Sequence, residues 1–378
     1  MQENRKENIK IIEDYKIIYS MSKIGILTLP FGPNYGMNLQ VYALQTVLKN
    51  LGHEVIVINR KWNRVKTNSG LIVSIKRFVY YKIVCRKIFS FYKRNIHLSK
   101  PCFTSEDIAK LCNEEKIDYV IVGSDQVWRI ENTRGANLDF FGGFMNEISY
   151  KTRIISYAAS FGTGEWKGTE IETNEVSKLL KSFTAVSVRE EAGAELCKKL
   201  FGIKAVITLD PTLLLKSQDY KANEYIEPEN KKMIVSYILD NSASKLSLIQ
   251  RIGKVLGIDN YKELYPQNRS NYTIYKYKVE EWLNYIRNAS FVVTDSFHGM
   301  VFSLLFNKQF VVIGNKKRGL ERFTSILGSL GISDRLVLTI DDFDIDIIHK
   351  DIDYLRVNNL IEALRQKSLS YLKSNIGA

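Results

Sequence analysis

Strands and helices in alternation predict an α/β fold made of two doubly wound parallel sheets. Three observations carry this reading. The strand-like segments are short apolar runs, as in strands buried on both faces, and helical patterns separate them. After a polar stretch at 215–231 the series begins again. At about 150 residues per domain, 378 residues fit two such halves.

Residues 1–20 are polar and stand apart, either as a loosely held extension or as a start codon read too early. The first half spans 21–215. It opens with a strand over 23–29 and a Gly/Pro-punctuated loop over 31–36. Leu39, Ala43, Val47 and Leu51 then share one helical face, and Gly52 closes that helix. A second strand, 54–60, completes a βαβ unit. Helix 105–115, capped by Thr104 or Ser105, leads to a strand over 118–123. Strands over 153–159 and 185–188, a helix over 190–200 and a strand over 204–210 follow, the last stopped by Asp210-Pro211.

The second half, 216–340, reads as strand 233–239, helices 243–256 and 279–288, strand 291–295, helix 300–306, strand 309–314 and helix 320–331. A C-terminal helical segment, 341–378, carries a helix near 353–375 with Leu355, Leu360, Leu364 and Leu372 on roughly one face. The two halves are expected to face each other across a cleft.

With 45% hydrophobic residues, 25% charged residues and only 6 prolines, disordered and collagen-like architectures are excluded. No apolar run reaches the roughly 18–20 residues of a spanning helix, and the N-terminal stretch lacks the apolar core of a signal peptide. Cys85, Cys102, Cys112 and Cys197 show no metal spacing, which fits reduced thiols in a cytoplasmic protein. The net charge of +13 is unevenly spread: between Glu54 and Glu106 there are twelve Lys or Arg and no acid. An anionic partner is expected near that segment. Within it, 71–95 interleaves aromatic and aliphatic residues with bases, as in a helix lying on anionic lipid; a helix packing its apolar side on the first half fits equally.

Ligands of doubly wound sheets sit beyond the carboxyl ends of strands, so the loops there hold the candidates. Gly32–Asn38 ends at a helix N-terminus, suited to an anion or to sugar hydroxyls, or simply to a turn capped by Asn38. It lacks GxGxxG and a ribose-binding acid, which argues against a simple dinucleotide site. Ser124, Asp125 and Gln126 offer sugar-binding groups and Trp128 a stacking face, unless the tryptophan is core. Ser160 lies in a weaker small-residue loop. Arg189, at a strand end, is placed to grip a carboxylate or phosphate, or to pair with a nearby acid. Asp295, Ser296, His298 and Gly299 form the sharpest feature. His298 sits at a helix N-terminus that favours neutral imidazole, suited to proton transfer. After Asn315 the four cations Lys316, Lys317, Arg318 and Arg322 cluster, with Arg318 and Arg322 on one face if the helix starts there.

Taken in order, NYGMNLQVYALQ (34–45), DYVIVGSDQVW (118–128), ISYAASFG (155–162), SVREE (187–191), LDPTLLL (209–215), the run 294–313 beginning TDSFHGM, and RGLERFTSIL (318–327) resemble the polysaccharide pyruvyl transferase family. The likeness covers about 23–335. It implies two Rossmann-like domains facing across a cleft in the GT-B manner. It also implies transfer of pyruvate from phosphoenolpyruvate to a saccharide diol, with ketal formation and phosphate release. The implied acceptor is a cell-surface polysaccharide precursor, often lipid-linked and met at the inner face of the membrane, and no metal or other cofactor is called for. On this reading His298, Arg189 and Asp125 are catalytic. Asn34, Tyr35, Gly36, Gln40, Ser124, Gln126, Trp128, Ser160, Asp295, Ser296, Gly299, Arg318 and Arg322 bind substrate. The family's Arg-Leu-His-Gly motif appears here as Ser296-Phe297-His298-Gly299, leaving Arg189, Arg318 or Arg322 to supply the missing cation. Two rival readings are a GT-B glycosyltransferase using a nucleotide sugar and, more remotely, a nucleic-acid-binding protein. The basic residues of the latter would be expected across a groove rather than in one segment.

Overall fold

The structure, a computed structural model, describes residues 21–32, 34–62, 85–136, 138–220, 232–265, 277–315 and 318–377. The first half is built from β1 (Lys23–Leu27), α1 (Tyr35–Asn50), β2 (Glu54–Arg60), α2 (Arg86–Asn95), β3 (Leu98–Cys102), α3 (Ser105–Glu115), β4 (Tyr119–Val122), the single turn α4 (Ile130–Thr133) and β5 (Arg153–Ser156). Its five strands are parallel in the order β3-β2-β1-β4-β5. Helix α5 (Glu170–Leu180), β6 (Ser187–Val188), α6 (Glu191–Phe201) and β7 (Val206–Ile207) follow. The β6-β7 pair attaches beside β5 through bridges Ile155↔Ala185 and Ala159↔Val188. That attachment brings Arg189 next to the loop after β4, which is itself bridged by Asp125↔Ala159.

The second half repeats the plan with β8 (Ile234–Tyr237), α7 (Ala243–Leu256), β9 (Tyr261–Glu263), α8 (Val279–Asn288), β10 (Phe291–Thr294), α9 (Phe297–Leu305), β11 (Gln309–Ile313), α10 (Glu321–Ser329) and β12 (Leu336–Val337). These strands are also parallel, ordered β12-β11-β10-β8-β9. The last helix, α11 (Tyr354–Asn375), returns to the first half. There Ser368 Oγ accepts from Leu209 N at 3.0 Å, and the Tyr371 hydroxyl donates to Ser156 O at 2.9 Å.

Apolar packing explains why the halves hold together. One cluster fills the outer face of the first sheet and another the outer face of the second. A third runs without interruption between them, from Leu39 and Leu44 of α1 through Leu213 and Tyr220 to Trp282 and Phe302. Helix α9 is buried along nearly its whole length, as expected of a helix apolar on all sides.

Several expectations change: β3, α5, β9 and β12 are elements not expected from the sequence, and the strands over 153–159 and 185–188 shorten to β5 and β6. The strand over 204–210 shortens to the two residues of β7, because Asp210 turns inward. The interfacial helix over 71–95 falls partly on 63–84, outside the described residues. Its described part, α2, buries Ile88, Phe91 and Tyr92 and sends Arg94 to Glu280 of α8 at 2.6 Å. Helix α2 thus links the halves through its buried side, while Arg86, Lys87, Lys93 and Arg94 stay exposed on the other.

Candidate active site

In each sheet the strand order reverses at one point, between β1 and β4 in the first and between β8 and β10 in the second. Loops diverging there open a crevice at the carboxyl ends. Helix α1 leaves the first crevice and α9 the second, and their first turns meet. A Cβ placed on Gly36 would lie 2.0 Å from His298 Nδ1, so only glycine admits the imidazole. Two helix N-termini, each a partial positive charge, therefore converge on one place.

His298 is buried in the first turn of α9, and its Nε2 has no hydrogen-bond partner. That nitrogen lies 3.7 Å from Asp210 Oδ2. Asp210 is the hub of the site. Its carboxylate accepts from Arg189 Nη1 at 2.9 Å, from Ser124 Oγ at 3.2 Å, and from Thr212 N and Oγ1 at 3.0 and 2.6 Å.

Arg189 and Arg322 come from different halves and stack over the same ring. Their guanidinium carbons lie 4.6 and 5.4 Å from the centroid of Phe297. Phe297, one residue after the position where the motif's arginine is missing, is thus a platform beneath two cations. Arg189 Nε and Nη2 and Arg322 Nε are buried without a hydrogen-bond partner. Among the described residues no carboxylate lies within ion-pair distance of Arg322, whereas Arg189 is held by Asp210 and, at 3.6 Å, by Glu190.

The electrostatics follow from burial and these neighbours. Burial lowers the pKa of His298; Asp210 and Asp125 oppose this, and Arg189 and Arg322 add to it. For Arg322, burial and then the nearby Arg189 push the pKa down to about 10. Burial also works against Arg189, but Asp210, Glu190 and Asp125 outweigh it and raise its pKa. At Asp210 burial is overcome by His298, Arg189 and the Thr212 bonds, and its carboxyl titrates below the usual range. The result is an imidazole biased toward its neutral form beside a carboxylate biased toward its ionised form, next to a guanidinium whose Nε has no hydrogen-bond partner.

Of the residues singled out in the sequence, Gly36, Ser124, Asp125, Arg189, His298 and Arg322 are brought together. Gln126 joins them at the edge, where its Nε2 donates to Arg318 O across the halves at 3.2 Å. The others are framework. Asn34, rather than Asn38, caps α1 by accepting from Met37 N at 3.1 Å. Tyr35 is fully buried in the second half, stacked on Trp282 at 5.2 Å with its hydroxyl donating to Tyr277 O. Gln40 braces Thr28 and the Ser124 amide from within the core. Trp128 offers no face to a sugar: it is fully buried, stacked on Phe141, and its indole N–H donates to Phe140 O. Ser160 donates to Glu190 at 2.7 Å.

In the second half, Asp295 is consumed by the amides of Leu239 and Asp240 and by Lys245 Nζ. Ser296 caps α9, and Gly299 lets that helix sit close on Thr294. Arg318 and Arg322 do not share a helical face, because α10 starts only at Glu321; Arg318 pairs instead with Asp240. Lys316 and Lys317 lie outside the described residues.

Asp210 and Glu190 were absent from the sequence-derived site. Asp210 reads as a strand stop before proline, yet an acid at the carboxyl end of a strand is where a ligand-side group is expected.

Residues 34–317 match the family model described as polysaccharide pyruvyl transferase. In fold the chain is similar to a glycosyltransferase from Rickettsia africae, with 11% identity over 95% of this chain and 96% of that one and a TM-score of 0.53. It is similar also to S. aureus MnaA in a co-structure with UDP (14% identity, 94% and 96% covered, TM-score 0.54). A third is UDP-GlcNAc 2-epimerase from Neisseria meningitidis (10% identity, 93% and 100% covered, TM-score 0.51). At these identities the likeness is one of fold, the two-lobed GT-B arrangement. No curated protein matches the chain in sequence. Among the described residues no helix is long and apolar enough to cross a membrane.

Proposed function

The chain belongs to the polysaccharide pyruvyl transferase family and is a transferase, and from that premise we propose that it moves pyruvate from phosphoenolpyruvate to a saccharide diol. The observation that carries the donor reading is the pair Arg189 and Arg322 on Phe297, with buried N–H groups that have no partner beside an imidazole. A small trianion supplies what they lack, and two helix N-termini favour it further.

Transfer must form two C–O bonds at C2 of the donor, break the bond from C2 to the phosphate oxygen and add a proton at C3. The first acceptor hydroxyl adds to C2 while C3 takes a proton, and the second hydroxyl displaces phosphate. Of the two protons lost by the diol, one balances the new methyl hydrogen and one leaves with phosphate. His298, neutral in its buried position, takes the hydroxyl proton at Nε2, and Asp210 steadies the imidazolium that forms. Asp125, half-buried on the loop after β4, is the second proton carrier. Arg189 and Arg322 hold the donor's carboxylate and phosphate.

Placed in cell-surface polysaccharide synthesis, the acceptor is a lipid-linked saccharide presented at an anionic membrane face. Support for this is the run of twelve bases without an acid between Glu54 and Glu106, of which Arg86, Lys93 and Lys100 are exposed while Arg60 is buried against Asp139. A nucleotide-sugar donor is less well served. At the second switch point the Asp295 carboxylate already takes the Leu239 and Asp240 amides and Lys245, donors that a diphosphate would need. Phosphate release from phosphoenolpyruvate, measured with a panel of saccharide diols, tests the proposal. Release that depends on acceptor and is lost in His298→Ala supports it. Stabilisation of the fold by nucleotide sugars and not by phosphoenolpyruvate opposes it.

A further inference from the structure

Behind the Phe297 ring a hollow of about 50 Å³ opens to solvent between α10 and α11. It has room for a few water molecules or one tetrahedral oxyanion. Arg189, Asp210, Phe297 and Arg322 line its inner end, and Ser325, Ser329 and Lys367 its outer part beside apolar Ile326 and Leu364. Positions 322, 325 and 329 fall on one face of α10. Along that face burial falls stepwise, from Arg322 through half-buried Ser325 to exposed Ser329, and exposed Lys367 stands on α11. The polar groups thus form a graded stripe from the reactive centre to the surface.

Packing slack does not account for this stripe. Arg322 is nine-tenths buried with Nε unpartnered, and a buried guanidinium N–H left without an acceptor carries a desolvation cost. An oxyanion at the inner end relieves that cost. The opposite side of the centre is narrowed by the contact of Gly36 with His298, and Tyr35 is locked into the second half.

We infer that this hollow is a rear passage by which inorganic phosphate leaves the reactive centre for solvent. The inference rests on the donor reading above, in which phosphate is the product. A saccharide bound on the Asp125 side then need not leave before phosphate does.

Lys367→Glu and Ser329→Trp change only the exposed mouth. Inorganic phosphate is titrated into the full chain, with unfolding temperature as the readout, and is then used as a product inhibitor of phosphoenolpyruvate turnover. Phosphate should stabilise the wild type. Lys367→Glu should weaken its binding and inhibition roughly fivefold, the scale of one partly exposed charge interaction. Ser329→Trp should slow steady-state turnover while leaving single-turnover ketal formation unchanged. Unfolding temperatures without phosphate check that both variants fold. Phosphate binding that is absent, or equal in all three proteins with turnover unaltered, overturns the passage. The donor reading survives that outcome, because consumption of phosphoenolpyruvate by the wild type measures it separately.

Discussion

Asp210 Oδ2 faces His298 Nε2 at 3.7 Å, and both side chains are buried where the two halves meet. Burial holds the His298 pKa below its ordinary 6.5, and Asp210 pulls it back upward. Chemistry that needs neutral imidazole should keep its rate through pH 6.5 and fall only on the acid side. Asp210→Asn removes the charge favouring imidazolium, so the acid limb of kcat/KM should move to still lower pH. Asp210→Glu should restore part of the profile, which a purely structural role would not produce. The sign for stability follows from the same shift. Between the folded pKa and 6.5 the unfolded chain binds more protons, so the His298 contribution declines as pH falls through that window. A pH-rate profile unmoved by Asp210→Asn would remove the carboxylate from the mechanism.

Gly36→Ala separates helix propensity from site geometry. Alanine in a helix is favoured over glycine by about 1 kcal/mol, yet here its Cβ meets His298 Nδ1 at 2.0 Å. The imidazole must shift, and displacement of a proton-transfer group is expected to lower kcat by roughly 10²-fold. Steady-state kinetics beside circular dichroism decide the matter. A folded variant with wild-type kcat shows that the imidazole position is not critical.

Arg322→Met should exchange affinity for stability. Removing a buried cation that lacks an acid partner leaves the melting temperature unchanged or higher. The same change removes a charge-assisted contact to the donor, raising the KM for phosphoenolpyruvate about tenfold or more. Arg318→Met should raise that KM much less, since Asp240 already holds Arg318 at 2.7 Å. Equal effects of the two substitutions would place the donor elsewhere.

Trp128→Ala should destabilise the chain by about 3–5 kcal/mol, as expected when a large buried aromatic is removed. Acceptor KM in the remaining folded protein should not change. Denaturant unfolding and acceptor titration check the two halves of that statement; a selective loss of acceptor affinity would return the indole to the sugar site.

The elements were legible because buried parallel strands and their helices leave short apolar runs and apolar residues at helical spacing. Strands β3, β9 and β12 and helix α5 were not; in β9, Tyr261 and Glu263 are exposed and carry neither pattern. His298, Arg189 and Arg322 could be singled out by charge and by place at strand ends and helix starts. What the sequence could not show was which polar loop residues face inward to one another. Gln40, Ser160 and Asp295 have the chemistry of ligand-binding groups, but their donors and acceptors are spent within the fold. Asp210 was hidden for the opposite reason: its neighbours Ser124, Arg189 and His298 are distant in sequence, and only the junction of the halves assembles them.

Mass spectrometry of a saccharide diol incubated with phosphoenolpyruvate and the full chain tests the central claim most directly. The predicted product is the acceptor carrying one pyruvate less one water, formed in step with phosphate and absent when His298→Ala replaces the wild type. An acceptor that gains a sugar from a nucleotide donor, and never pyruvate from phosphoenolpyruvate, would contradict it.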